Sequence, residues 1–156
     1  MTSTRWIALG LSALVIVAGA SLAWSWLLPA APRIDPDNET QVAQGQVVYA
    51  AQCARCHGAD LRGQPNWRER QANGRLPAPP HDEFGHSWHH PDSVLFAITK
   101  HGIAAYAPPG YESDMPAFDG VLTDDEIAAV LAYIKSRWPP EVRARQARIE
   151  EQAAEQ

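Results

Sequence analysis

Cys53-Ala54-Arg55-Cys56-His57 decides the reading of this chain. Two thiols stand three positions apart, and an imidazole follows the second directly. Three residues of helical or turn backbone bring both sulfurs under one edge of a flat ring system and set the imidazole beneath its centre. These are the only cysteines in 156 residues, so no disulfide framework exists, and a bridge between them would close almost no loop. A zinc site needs further ligands, and His81 and His86 lie well past the interval of roughly 12–15 residues expected after such a pair. A redox-active dithiol wants a strand-helix setting, whereas this pair follows a helical pattern. The spacing fits covalent attachment of a haem through both thiols, with His57 on its iron.

Outward from the motif, Val42, Gly45, Val48, Tyr49 and Gln52 recur at three- and four-residue steps and predict a short helix over 40–52 that delivers the chain to Cys53. Residues 61–91 are rich in Pro, Gly, Asn and His and predict loops with at most one short helical turn. Pro91 suits a first helical position, Val94, Leu95 and Ile98 form a stripe, and Gly102 stops it. A Pro-Gly loop from Ala107 to Phe118 holds Met115. Thr123-Asp124-Asp125-Glu126 is a capping box, Ile127, Val130, Leu131, Ile134 and Trp138 mark a buried face, and Pro139-Pro140 ends the run. The charged tail, 139–156, predicts either a solvated helix or disorder, with no role beyond a passive extension.

Residues 1–28 hold an uncharged, largely apolar run from Trp6 to Leu28, long enough to cross a hydrocarbon core of about 30 Å. Arg5 before it predicts a cytoplasmic start, and Trp24 and Trp26 suit an interfacial belt. This predicts a single-pass anchor in a bacterial inner membrane with the domain on the periplasmic side. Ala18-Gly19-Ala20 keeps cleavage of a secretory signal open. Either route exports the domain. The Pro-rich stretch 29–39 reads as an extended tether reaching at most about 40 Å, and 40–138 as the folded domain.

Apart from the initiator, Met115 is the only methionine, and Pro116 biases it to an extended conformation that can direct a thioether inward. His57 and Met115 are therefore the expected metal ligands. A neutral, soft thioether favours ferrous over ferric iron, and filling both axial positions blocks substrate. Electron transfer is then the expected work, with no bond-making catalysis and no small-molecule substrate. The net charge of −5 argues against a nucleic-acid partner.

The chain resembles the class I monohaem c-type cytochromes, of the kind tethered by an uncleaved N-terminal helix. The resemblance spans Val42 to Trp138. It rests on the Cys53–His57 site with Gly58 after it, Gly45 and Tyr49 before it, the Met115-Pro116-Ala117-Phe118 loop, and Tyr133 with Trp138. It implies an all-α cytochrome c fold around one haem c, with an N-terminal transmembrane helix. The first and last helices would cross, Gly45 allowing close approach and Tyr49 packing on Val130 and Tyr133. It also implies a proline carbonyl accepting the proximal imidazole N–H, a role open here to Pro65, Pro79 and Pro80, with Pro80 placed in the cofactor-binding set alongside Phe118. Trp67 and Trp88 would donate indole N–H bonds to haem propionates, the alternative being simple packing.

The His81–His90 loop reads as surface and propionate-side histidines beside a packed Trp88. Copper binding or exchange onto the iron is the competing reading. His101, at a helix end, favours the helix dipole. Arg55, Arg62, Arg68, Arg70 and Arg75 outnumber Asp60 and Glu69 near the attachment site, which predicts an acidic redox protein as docking partner; an ordinary solvated loop is the alternative. Besides a free-standing electron carrier, the same domain suits the haem subunit of a membrane oxidoreductase complex, or, less simply, a haem-based sensor or copper-handling protein.

Overall fold

The computed structural model describes residues 32–155. Among them no helix is long and apolar enough to cross a membrane. The expected anchor over 1–28 and its alternative cleavage site lie outside the described residues.

Helix α1, Glu39–Val48, begins at Asn38, whose side chain accepts the Gln41 N–H at 3.1 Å. It widens into a π-helical turn, Tyr49–Cys53, and resumes as α2, Ala54–His57. The expected helix over 40–52 is thus continuous with the motif. A long loop, broken only by a 3₁₀ turn at Ser87–His89, leads to α3, Asp92–His101. Pro91 caps α3 from one position outside it, and Gly102, at φ +87°, ends it. A second 3₁₀ turn, Ile103–Ala105, precedes the methionine loop. Helix α4, Asp124–Ser136, carries the expected capping box. The Thr123 hydroxyl accepts the Glu126 N–H at 3.2 Å, and the Glu126 carboxylate accepts the Thr123 N–H at 2.8 Å. Ile127, Val130, Leu131, Ile134 and Trp138 are all buried, as the periodicity required.

The helices α1 and α4 cross at a seam of small residues. Ala128, Ala129 and Ala132 are fully buried, and a Cβ on Gly45 would stand 1.9 Å from the Ala129 carbonyl oxygen. Backbone meets backbone here, which only glycine permits. Tyr49 follows one turn on, with its ring 5.4 Å from that of Tyr133 and packed in one cluster with Val130.

Two expectations are corrected. The stretch 29–39 is not a free spacer over its described part. The side-chain amide of Gln41 donates to the Arg33 carbonyl at 2.8 Å and its oxygen accepts the Asp35 N–H at 2.8 Å. Ile34 packs against the core, and Asp37 pairs with Arg143 at 2.6 Å. Nor is the tail passive. Pro140 opens a 15-residue helix, α5, Pro140–Ala154, that buries Val142 and Gln146. The Glu150 carboxylate accepts the Asp92 N–H at 2.7 Å, placing negative charge at the N-terminus of α3. Asp92 in turn accepts from the buried Lys135 ammonium at 2.6 Å and from Gln146 at 2.8 Å, so one carboxylate joins α3, α4 and α5. Sparse apolar content hid this docking, because most of it is polar and long-range.

Candidate functional site

The turn after His57 sets the site. The Tyr49 hydroxyl donates to the Gly58 carbonyl at 2.9 Å, and the Gly63 N–H donates to the His57 carbonyl at 2.8 Å. The chain then lies against 78–81. Gln64 N–H donates to the Ala78 carbonyl at 2.9 Å, and His81 N–H to the Leu61 carbonyl at 2.7 Å. Gly63, at φ +68°, presses on the Pro79–Pro80 peptide so closely that a Cβ would stand 2.6 Å from it.

This clasp delivers the Pro79 carbonyl to His57 Nδ1, 2.8 Å away. A carbonyl only accepts, so Nδ1 carries the proton and Nε2 keeps its lone pair. Burial lowers the His57 pKa, and the Pro79 bond partly counters this. The imidazole is therefore neutral near pH 7, the form that binds a metal. Of the three prolines offered by the sequence, Pro79 holds the role. Pro65 is exposed, and Pro80, although buried, does not line the cavity.

His81, expected among the surface and propionate-side histidines of its loop, instead stacks its ring on that of His57 at 4.0 Å and 23°. Its Nδ1 lies 2.7 Å from the Ser87 hydroxyl, and its carbonyl accepts the Trp138 indole N–H at 2.8 Å. Burial, and then the neighbouring His57, hold its pKa well below the usual histidine value. Its position directly after the Pro79-Pro80 pair was the one available signal.

Cys53, Cys56 and His57 line a cavity of about 560 Å³, within the range of roughly 300–1,000 Å³ usual for ligand sites. The same cavity is lined by Trp67, Met115, Phe118 and Trp138, and by Leu95, Ile98, Val130, Leu131 and Ile134. Burial, with Cys56 beside it, pushes the Cys53 thiol up to about 11. Phe118 N–H donates to the Thr99 carbonyl at 3.1 Å and Asp119 N–H to the Lys100 carbonyl at 2.9 Å, pinning the methionine loop to the end of α3. Two thiols, a neutral imidazole and a thioether around one largely apolar cavity suit a covalently attached haem.

Trp88 does not join this group. Its indole N–H donates to the Glu83 carbonyl at 3.2 Å and its ring stacks on His89 at 3.6 Å, so it packs and does not line the cavity. Trp67 does line it, with the Arg68 guanidinium 4.0 Å over its ring. Among the described residues no three or more His, Cys, Asp or Glu side chains converge as a metal site.

No curated protein and no solved structure matches the chain. Residues 42–138 match the family model of cytochrome c, which covers more than half of the sequence and ends at the Trp138 that closes the cavity. The chain belongs to the cytochrome c family, whose covalent haem c Cys53 and Cys56 are spaced to attach.

Proposed function

We propose that this protein is a membrane-tethered electron carrier of the bacterial periplasm, holding one haem between His57 and Met115. The observation that carries the reading is the neutral His57 imidazole, fixed by the Pro79 carbonyl, in a cavity that Met115 also lines. The bound haem supplies a one-electron iron couple. The chain's residues supply everything else. Both cysteines fix the macrocycle in register, and the Pro79 bond orients the imidazole and raises its basicity. The Met115 thioether, as the second ligand, would favour the reduced metal and would leave no open position for substrate. The apolar walls from α3 and α4 exclude water, which disfavours the more highly charged oxidised state. The tether rests on the apolar run from Trp6 to Leu28 and on Arg5 before it.

The visible spectrum of the full-length protein purified from bacterial membranes tests the ligand pair. A c-type ferrous spectrum is expected, with the weak red band of sulfur-to-iron charge transfer in the ferric form. Met115→Ala should abolish that band and leave the covalent attachment intact. A colourless protein, or a band that survives the substitution, overturns the reading.

The partner is an acidic redox protein. Arg62 is paired with Asp60, and Arg75 with Glu112 and Asp114. Arg55, Arg68 and Arg70 form no ion pair among the described residues and supply the positive charge near the cavity. Bimolecular reduction by an acidic donor should slow as ionic strength rises from about 0.01 to 0.15 M. A flat dependence would sink this docking mode.

A further inference from the structure

The histidines at 86, 89 and 90 cluster about the 3₁₀ turn and make no bond to His57, and His86 and His90 also stand on the wall of the cavity that Cys53 and Met115 line. Two of them do more than cluster. His86 Nε2 and His90 Nε2 lie 3.1 Å apart, with ring centres 4.8 Å apart and planes at 79°. A linear hydrogen bond between two imidazoles of that N–N separation would put the ring centres about 5.4 Å apart. The observed centres are closer because the two ring axes converge. Each nitrogen of a shared ion lies about 2.0–2.1 Å from it, so a pair 3.1 Å apart subtends roughly 100° at the ion. The ring centres, set about 1.2 Å behind their nitrogens, would then stand about 4.8 Å apart. That is the distance in the structure. The angle lies between the square-planar and tetrahedral values that nitrogen-bound divalent ions adopt.

We propose that His86 and His90 chelate one divalent late first-row metal ion, Cu²⁺ by preference, with water filling its remaining positions. Two imidazoles four positions apart are a recurrent bidentate donor set on helices; here the 3₁₀ turn and the extended backbone of His90 bring the pair together instead. Imidazole suits copper, nickel and zinc, and copper stands highest in the divalent affinity order. Burial and the neighbouring rings lower the pKa of both histidines, and Arg68 adds to this at His86, so both imidazoles are free to ligate near neutrality. The loop is held for the purpose. Gln146 on α5 donates to the His90 carbonyl at 3.4 Å, and Ser87 is bound to His81. The ring of His89 stacks on that of His86 with centres 5.2 Å apart and is not required as a donor. The pair shares the wall of the haem cavity, but its ligation rests on its own geometry and not on the electron-carrier reading.

The test uses the haem-loaded, full-length protein, freed of loose metal by chelator and titrated with copper sulfate. Calorimetry should give one Cu²⁺ per chain, and the electron paramagnetic resonance spectrum should show coupling to two nitrogens. His86→Ala and His90→Ala should each weaken binding by at least about tenfold, the step expected when a chelate loses one of two donors. His101→Ala should leave it unchanged. An unaltered haem spectrum in each variant shows that the chain is folded, so a loss of copper cannot be blamed on unfolding. Absence of stoichiometric binding, unchanged affinity in either variant, or a loss confined to His89→Ala overturns the proposal.

Discussion

The Pro79 carbonyl and the Thr123 hydroxyl show what a single atom settles in this protein. The attachment motif was legible because its geometry is local, five consecutive residues whose spacing alone carries the chemistry. The acceptor for His57 was not. Three prolines were available, and the choice falls to Pro79 through the clasp of 61–64 on 78–81, a contact between distant chain positions. The stacking of His81 on His57 was illegible for the same reason. The Thr123–Glu126 box was legible, again because it is local, and it makes a pH-dependent contribution. Bonds to Thr123 depress the Glu126 pKa below its ordinary 4.5. Its stabilising contribution is therefore present above that value and lost as pH falls through the depressed folded value. Thr123→Ala should destabilise the protein by about 1 kcal/mol at pH 7. The gap from wild type should narrow on acidification to about pH 3, as followed by urea denaturation at both pH values.

At the level of helices, the period of the apolar residues located α1, α3 and α4, and glycine and proline placed their ends to within a residue or two. The π-helical turn at Tyr49–Cys53 was not visible, since the same apolar spacing serves either winding. The crossing of α1 over α4 came from the resemblance, and its cause is steric. A methyl group at position 45 would overlap the Ala129 carbonyl and crowd Tyr133. Gly45→Ala should therefore cost roughly 2–3 kcal/mol, despite the better helix propensity of alanine. Chemical denaturation of the haem-loaded variant checks this, and a stabilised protein would show that the seam can open without penalty. Val47→Ala, at a 70% exposed position on the same helix, should stay within about 0.5 kcal/mol of wild type.

Across the whole molecule, the sequence pattern found one domain but misjudged its edge. The family match stops at residue 138, and the helix beyond it has too few apolar residues to declare a buried face. Its docking runs through Gln146, Glu150 and Arg143, whose partners Asp92 and Asp37 lie 54 to 106 positions away. A chain ended after Pro139 should keep its c-type spectrum, since every residue lining the cavity precedes that point. It should lose roughly 3 kcal/mol, from Val142 and from the Asp92–Lys135 network left open to water, which is on the order of 10–20 °C in Tm. Thermal unfolding followed by circular dichroism measures it, and an unchanged Tm would restore the passive tail. The docking of α5 has a consequence in time. A ribosome emits a protein from its first residue onward, so the glutamine that holds the His90 carbonyl and the arginine that meets Asp37 arrive only after every residue that lines the cavity. Until then the His90 carbonyl and Asp37 lack those partners, while every residue of the chamber has already been made. Synthesis order thus builds in an interval for loading a rigid, flat pigment before the final latch shuts behind it.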